Sequence, residues 1–242
     1  MMRFEQHYSS SKGNLYTVTA ANGRRLLLEC GVRWQLVQQA LEYKLDSIDG
    51  CLLTHEHKDH GKAIVQVMRA GIDVYASQGT LDALNADDTY RAKPVKEDVV
   101  FEISNTFQAI PFKVHHDAAQ PFGYVIREVE TDEYLYFSLD SSHLVNRFDY
   151  AFDIIAIELS YERERLEWML DTGNINAALA KRLLTSHAEK QTIIDYLDKF
   201  CTLYKCRELH LLHTSAGNLD RPKAKRDFEK KFFIKTVIKG IN

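Results

Sequence analysis

The chain has 242 residues, of which 45% are hydrophobic and 27% charged, with 11 glycines and 4 prolines. This composition suits a globular fold and excludes collagen-like, low-complexity and disulfide-stapled chains. A formal charge of −3 neither requires nor forbids a polyanionic partner, and no apolar run reaches the roughly 18 residues of a membrane span. Residues 1–7 turn polar at once, without a signal-peptide core. Cys30, Cys51, Cys201 and Cys206 lack the spacing of a zinc or redox pair, so reduced structural thiols in a cytoplasmic protein are expected. No linker or internal repeat interrupts the chain, and a single domain over residues 1–242 is expected.

In chain order, residues 1–30 read as two or three short strands. A strand over 15–19, a hairpin turn at Ala21-Asn22-Gly23 and a returning strand over 24–28 follow a small-residue loop at 9–14. That loop can offer backbone donors to an anion. Helical spacing over 34–45 places Leu36, Val37, Ala40 and Leu41 on one stripe. A buried strand over 48–54 then runs into Thr54-His55-Glu56-His57-Lys58-Asp59-His60. A helix over 64–70, a strand over 73–76 and a helix over 80–86 complete an α/β pattern.

The second half begins with strand candidates over 99–103, 107–114, 123–128, 134–139 and 154–159. Helices over 176–184 and 190–201 and a last buried strand over 208–213 follow. The closing segment, 221–242, gathers Lys223, Lys225, Arg226, Lys230, Lys231 and Lys235. It reads as a phosphate-binding stretch or, given Asp227, Glu229 and Phe232-Phe233, as a solvated amphipathic end. Tyr43, Tyr90 and Trp168 read as ordinary packing aromatics.

His55, His57, Asp59 and His60 are the strongest functional signal. Imidazole nitrogen suits zinc and similar divalent ions, and carboxylate oxygen admits harder ones. In an extended segment His55 and His57 share a side, while Asp59 and His60 must turn toward a neighbouring position. Gly61 permits the tight geometry this needs. Further ligands should come from other strand ends, where His115-His116-Asp117, Asp140 and His213 stand. Two ions about 3.5–4 Å apart can share a hydroxide and stabilise both entering and leaving oxygens.

This pattern resembles the metallo-β-lactamase fold superfamily, whose signature His-x-His-x-Asp-His follows a buried strand. The likeness runs over residues 4–220 and in detail resembles the YycJ/WalJ-like exonuclease branch. It implies an α/β fold (α+β in some schemes), a four-layer αβ/βα sandwich. It also implies two divalent ions, zinc or manganese. One would be held by His55, His57 and His116, the other by Asp59, His60 and His213, with Asp140 bridging. His116 is preferred to His115 because His116-Asp117-Ala118, followed by Pro121-Phe122-Gly123-Tyr124, resembles that branch's His-Asp-Ala segment.

Asp59 is the expected orienter of the nucleophile as well as a ligand. His187, in Thr185-Ser186-His187-Ala188-Glu189, resembles a degraded Gly-His-Leu-Ser element and is expected to contact substrate or metal-bound water, unless Ser186 simply opens a helix. Ser11, Lys12 and Asn14 of the early loop, Tyr161 and Asn218 are the expected substrate contacts. Two departures stand out. Glu29-Cys30-Gly31 replaces the more usual Asp-Cys-Gly, and Ile157-Glu158-Leu159-Ser160-Tyr161 lacks the histidine of Glu-x-Asn-His.

The resemblance thus implies a binuclear hydrolase, expected to cleave phosphodiesters of DNA or RNA through a metal-bridging hydroxide. The alternatives are a hydrolase of small cyclic phosphodiesters, thioesters or lactones, and a noncatalytic metal-stabilised binding protein. No membrane partner is expected, and no sequence feature specifies an oligomeric state.

Overall fold

A computed structural model describes residues 1–86, 90–215 and 217–240. The chain divides into two compact units, the first formed by Met1–Lys113 and Ala118–Tyr134, the second by Val114–Asp117 and Leu135–Asn242. The last two residues of the basic segment 221–242 lie outside the described residues.

The first unit opens with the hairpin β1 (Arg3–Ser10) and β2 (Gly13–Thr19). Only Ser11 and Lys12 remain in the turn, so the expected loop is shorter than its polar composition suggested. β3 (Arg25–Leu28) returns antiparallel to β2 and then pairs parallel with β4 (Ile48–Leu52). β5 (Val74–Ser77) and β6 (Ala92–Val95) extend the sheet in parallel to six strands in chain order. The core of this unit packs Leu27, Cys51, Leu53, Val74 and Ala76 against helical residues. These come from α1 (Trp34–Ala40), α3 (Ile64–Arg69) and α4 (Gln78–Ala83) and include Val37, Ile64, Val67 and Leu81. Between β4 and α3 lies a single turn, α2 (Lys58–Gly61).

A helix was expected to continue to residue 45, but α1 stops at Ala40. Glu42 and Tyr43 take left-handed φ values of 52° and 59°. The Arg25 guanidinium donates to the carbonyls of Leu41 and Lys44, both at 3.0 Å, fixing the chain reversal that leads into β4. The meander β7 (Phe101–Glu102), β8 (Phe107–Lys113) and β9 (Phe122–Glu128) completes the first unit. The Tyr124 hydroxyl donates to the Leu53 carbonyl at 2.8 Å, and Glu128 accepts from the Ala21 amide at 2.6 Å. These bonds tie the meander to the six-stranded sheet.

The second unit is built on parallel strands. β10 (Glu133–Ser138), β11 (Ile154–Glu158), β12 (Glu208–Leu212) and β13 (Lys235–Ile238) pair in that order. The near-continuous apolar runs of β10, β11 and β12 are what parallel strands covered on both faces require. Four helices accompany them: α5 (Arg163–Asp171), α6 (Ala177–Ser186), α7 (Lys190–Phe200) and α8 (Arg221–Phe232). The Asn176 side chain caps α6 through the Leu179 amide at 2.8 Å, and Asp220 caps α8 through that of Lys223 at 3.0 Å. Lys190 reaches Glu162 at 2.6 Å and Asp227 at 2.5 Å, joining the starts of α5 and α7 to α8.

Short β6, α5 and β13 carried no sequence expectation, and the segment now seen as α8 was left between two readings. Only Leu166 is buried in the charged α5, so its apolar stripe is faint. The four residues of β13 gain their strand geometry from β12 rather than from propensity. All four cysteines are free thiols, with Cys30, Cys51 and Cys206 buried. Among the described residues no helix is long and apolar enough to cross a membrane.

Candidate metal centre

In the first unit, β3 and β4 run parallel and both end at the same sheet edge, where functional residues of α/β layers gather. Glu29 follows β3 with a left-handed φ of 63°, turning its buried carboxylate off the strand line. His55 follows β4 by way of Thr54. The amides of His60 and Gly61 both donate to the His57 carbonyl at 2.9 Å, closing the tight turn that splays Asp59 and His60 from the His55–His57 pair.

The rings are held from behind. His55 Nδ1 lies 2.9 Å from Thr54 Oγ1, and His60 Nδ1 lies 3.6 Å from Glu29 Oε1. The other edges converge: His55 Nε2 is 3.1 Å from His57 Nδ1, and His60 Nε2 is 3.5 Å from Asp59 Oδ2. A ring hydrogen-bonded through one nitrogen to an outer partner, as His55 is to Thr54, with the second nitrogen turned to other donors, is the arrangement of metal-bound histidine. Burial raises the Glu29 carboxyl above its ordinary value, against the opposing pull of His60.

Asn14 belongs to this half-site. Its side-chain amide lies 3.2 Å from both the Asp59 carbonyl and His60 Nε2, while Oδ1 accepts from the Tyr16 hydroxyl at 3.0 Å. Asn14, an expected substrate contact, is fully buried and holds the ligand-bearing loop. Gly31 packs beneath the same loop, and its amide donates to the Asn14 carbonyl at 2.9 Å.

The second unit carries its own set. Asp140, Glu158 and His213 stand at or just past the ends of the adjacent parallel strands β10, β11 and β12. Asp140 and His213 take left-handed φ values of 45° and 51°. Backbone in this region costs non-glycine residues on the order of 1–3 kcal/mol and is concentrated at functional sites. His187, which ends α6, joins them, so that one donor atom from each of Asp140, Glu158, His187 and His213 lies within 4.8 Å of the others.

Glu158 is at the centre because β11 lies between the other two strands. Its Oε1 is 2.6 Å from His187 Nδ1 and 3.4 Å from His213 Nδ1, while Oε2 accepts from the Ser141 amide at 2.9 Å. Burial alone would raise the Glu158 carboxyl, but the His187 imidazole beside it pulls it below its ordinary value. Burial would likewise lower His187, and the Glu158 charge reverses that and raises it. Each thus favours the charged form of the other.

His116 also belongs to this unit. Its Nδ1 donates to the Ser186 carbonyl at 3.0 Å, and its Nε2 lies 3.6 Å from Asp140 Oδ2. A carbonyl only accepts, so Nδ1 carries the proton and Nε2 presents its lone pair, the tautomer a metal ligand needs. Burial lowers the His116 pKa, against the opposing pull of Asp140, and so favours the neutral ring. His115 is exposed instead. Ser186 closes α6 rather than opening a helix, and its carbonyl is the group that orients His116.

The predicted ligands therefore fall into two local sets: His55, His57, Asp59 and His60 in one unit, and His116, Asp140 and His213, with His187, in the other. Among the expected substrate contacts, Ser11 and Lys12 are exposed in the β1–β2 turn. Tyr161 is buried in a cluster with Leu166, Ile175, Ala180 and Leu183, and packing accounts for it. Asn218 is buried, with its carbonyl accepting from the Glu162 amide at 3.0 Å. Glu158 had no assigned role in the sequence reading. Its signal was there: an acid closing a strand that is otherwise entirely apolar.

A family profile described as Beta-lactamase superfamily domain matches residues 24–194. Among curated proteins, an octanoyltransferase of Porphyromonas gingivalis is 29% identical over 142 residues, covering 52% of this chain and 28% of that protein. Exodeoxyribonuclease YycJ of Bacillus anthracis is 31% identical over 133 residues, covering 51% of this chain and 49% of that protein. The chain thus matches half or less of the length of these relatives. The crystal structure of the metallo-β-lactamase fold protein YhfI from Bacillus subtilis superposes with a TM-score of 0.74 at 14% identity, covering 98% of this chain and 96% of that one. With the α/β elements and the histidine–carboxylate sets in place, the chain belongs to the beta-lactamase superfamily and has the metallo-β-lactamase fold.

Proposed function

We propose that the chain is a binuclear metal-dependent phosphodiesterase acting on DNA or RNA. On the family pattern, His55, His57 and His116 would hold one divalent ion and Asp59, His60 and His213 the other, with Asp140 shared. When bound, such ions neutralise phosphate oxygens and acidify a water molecule. The mixture of imidazole and carboxylate donors fits zinc or manganese.

The observation that carries this reading is the convergence of the buried Asp140, Glu158 and His213 with the half-buried His187. Carboxylate oxygens and imidazole nitrogens brought this close are the donor set that a divalent cation takes. Asp59 orients the attacking water as well as binding metal. His187, held by Glu158 at 2.6 Å, supplies a proton or hydrogen bond to the substrate. The phosphodiester preference is supported by the similarity to an exodeoxyribonuclease.

The test is incubation of manganese- or zinc-loaded protein with end-labelled single- and double-stranded DNA and RNA. Shortening of the label, abolished by Asp59→Ala with the fold retained by circular dichroism, is the expected result. Intact nucleic acid alongside turnover of a small cyclic diester, thioester or lactone would overturn the substrate assignment. Stoichiometric metal binding with no turnover of any of these would overturn the catalytic one.

A further inference from the structure

The end of α8 contains an anomaly of conformation and exposure. Phe233 caps the helix with a left-handed φ of 57° while its side chain is 92% exposed. Glycine is the usual residue at this helix position, because a β-carbon is strained there. An aromatic ring gains nothing from packing at such exposure.

Phe233 also ends a row. Lys223, Arg226, Lys230 and Phe233 follow one another at intervals of three, four and three residues, and all four are exposed. That spacing sets Lys223, Arg226 and Lys230 along one face of α8, and Phe233 follows them in the cap that ends the helix. The acids of the same segment are turned to other work. Asp220 caps the helix, Asp227 binds Lys190 at 2.5 Å, and Glu229 accepts from the Thr236 amide at 3.3 Å. The flanking Lys231 and Lys235 are paired with Asp198 at 3.1 Å and Glu208 at 2.6 Å. Within the row, Lys223 lies 4.0 Å from Glu162, at the limit of an ion pair.

We propose that this face of α8 binds single-stranded nucleic acid, with Lys223, Arg226 and Lys230 contacting phosphates and Phe233 stacking on a base. This rests on the reading of the chain as an enzyme of nucleic acid, and it names a surface outside the metal centre. Lys223 to Lys230 spans about 10 Å at ~1.5 Å rise per residue. A stacked strand rises about 3.4 Å per phosphate, so that length covers about three nucleotide steps. Cations tracking a backbone beside an exposed aromatic are the working parts of single-strand binding, and stacking tolerates any base.

The test measures binding, by fluorescence anisotropy, of the metal-loaded full chain to an oligothymidylate with a phosphorothioate backbone. Phe233→Gly should weaken affinity about 5- to 150-fold, the range typical of one lost aromatic stack. Relief of strain should meanwhile raise Tm by about 2–4 °C. Phe233→Trp should keep the affinity. Combined Lys223→Ala, Arg226→Ala and Lys230→Ala changes should reduce the slope of log affinity against log salt by about 2, at roughly 0.7 per phosphate on a single strand.

Unchanged affinity in Phe233→Gly would overturn the proposal, as would a wild-type chain that hydrolyses a small diester yet does not bind the oligomer. Loss of self-association in Phe233→Gly with oligomer affinity intact would overturn it in favour of contact between copies. Binding with the predicted variant effects, but without nuclease activity, would support this surface while removing the nuclease reading.

Discussion

A Cβ placed on Gly31 would sit 1.6 Å from the Asp59 carbonyl oxygen and 2.7 Å from the His60 amide nitrogen. Both are backbone atoms of the ligand-bearing turn, so no side-chain rotation relieves the clash. Gly31→Ala should therefore displace Asp59 and His60, destabilising the fold by about 1–3 kcal/mol and reducing bound metal. Thermal melting with metal analysis of the purified protein checks this; unaltered metal content would contradict it. Gly23, with φ 83° and nothing within 4 Å, is the control, since its alanine variant should leave metal content unchanged.

Two further residues separate chemistry from architecture. His187→Ala should lower turnover about 100-fold or more, the usual contribution of a positioned acid or base, while bound metal falls little. Glu158→Gln should act differently, because Glu158 holds both His187 and His213. Loss of such an outer partner typically costs about 10- to 100-fold in metal affinity. Competitive titration with a chelating dye separates the two outcomes.

At the scale of elements, the β12–β13 pair has a measurable acid response. The Glu208 carboxyl is lowered from 4.5 to about 2, chiefly by its hydrogen bond with His210, against desolvation and with further help from Lys235. Its folded pKa lies below the unfolded value, so its stabilisation is complete above about 4.5 and fades as pH falls toward 2. Partial exposure and solvent screening hold the effect to about 1 kcal/mol. Urea midpoints at near-neutral and acid pH should converge between wild type and Glu208→Gln as pH falls; a constant gap would contradict this.

Elements also explain what was legible in the amino-acid order. The His55–His60 motif was readable because its ligands are neighbours in sequence, and strands such as β4, β11 and β12 announce themselves as apolar runs. Helix α1 was overestimated because nothing in its periodicity marks the left-handed Glu42 and Tyr43. Glu158 escaped notice because its value depends on lying between two other strand ends. Asn14 resembled a substrate contact in a polar loop, yet tertiary pairing extends β1 and β2 around it and turns its amide onto the Asp59 carbonyl and His60. Tyr161, expected to contact substrate, is packed among Leu166, Ile175, Ala180 and Leu183.

For the whole molecule, family membership accounts for the metallo-β-lactamase fold, and each unit supplies a histidine–carboxylate set at the ends of parallel strands. A cation bound by such sets stabilises the folded state by mass action, about 2.7 kcal/mol when free metal is a hundredfold above its dissociation constant. Manganese or zinc should therefore raise Tm and excess chelator should reverse the rise. Identical melts with and without metal would contradict this.

The most direct measurement is the number of ions held per chain, by plasma mass spectrometry after loading with manganese or zinc and desalting. Wild type should retain two, and Asp140→Asn, which tolerates the left-handed backbone at that position, should retain one or none. Retention of no ion by the folded wild-type chain, or of two ions regardless of Asp140, would contradict a binuclear centre built on these residues.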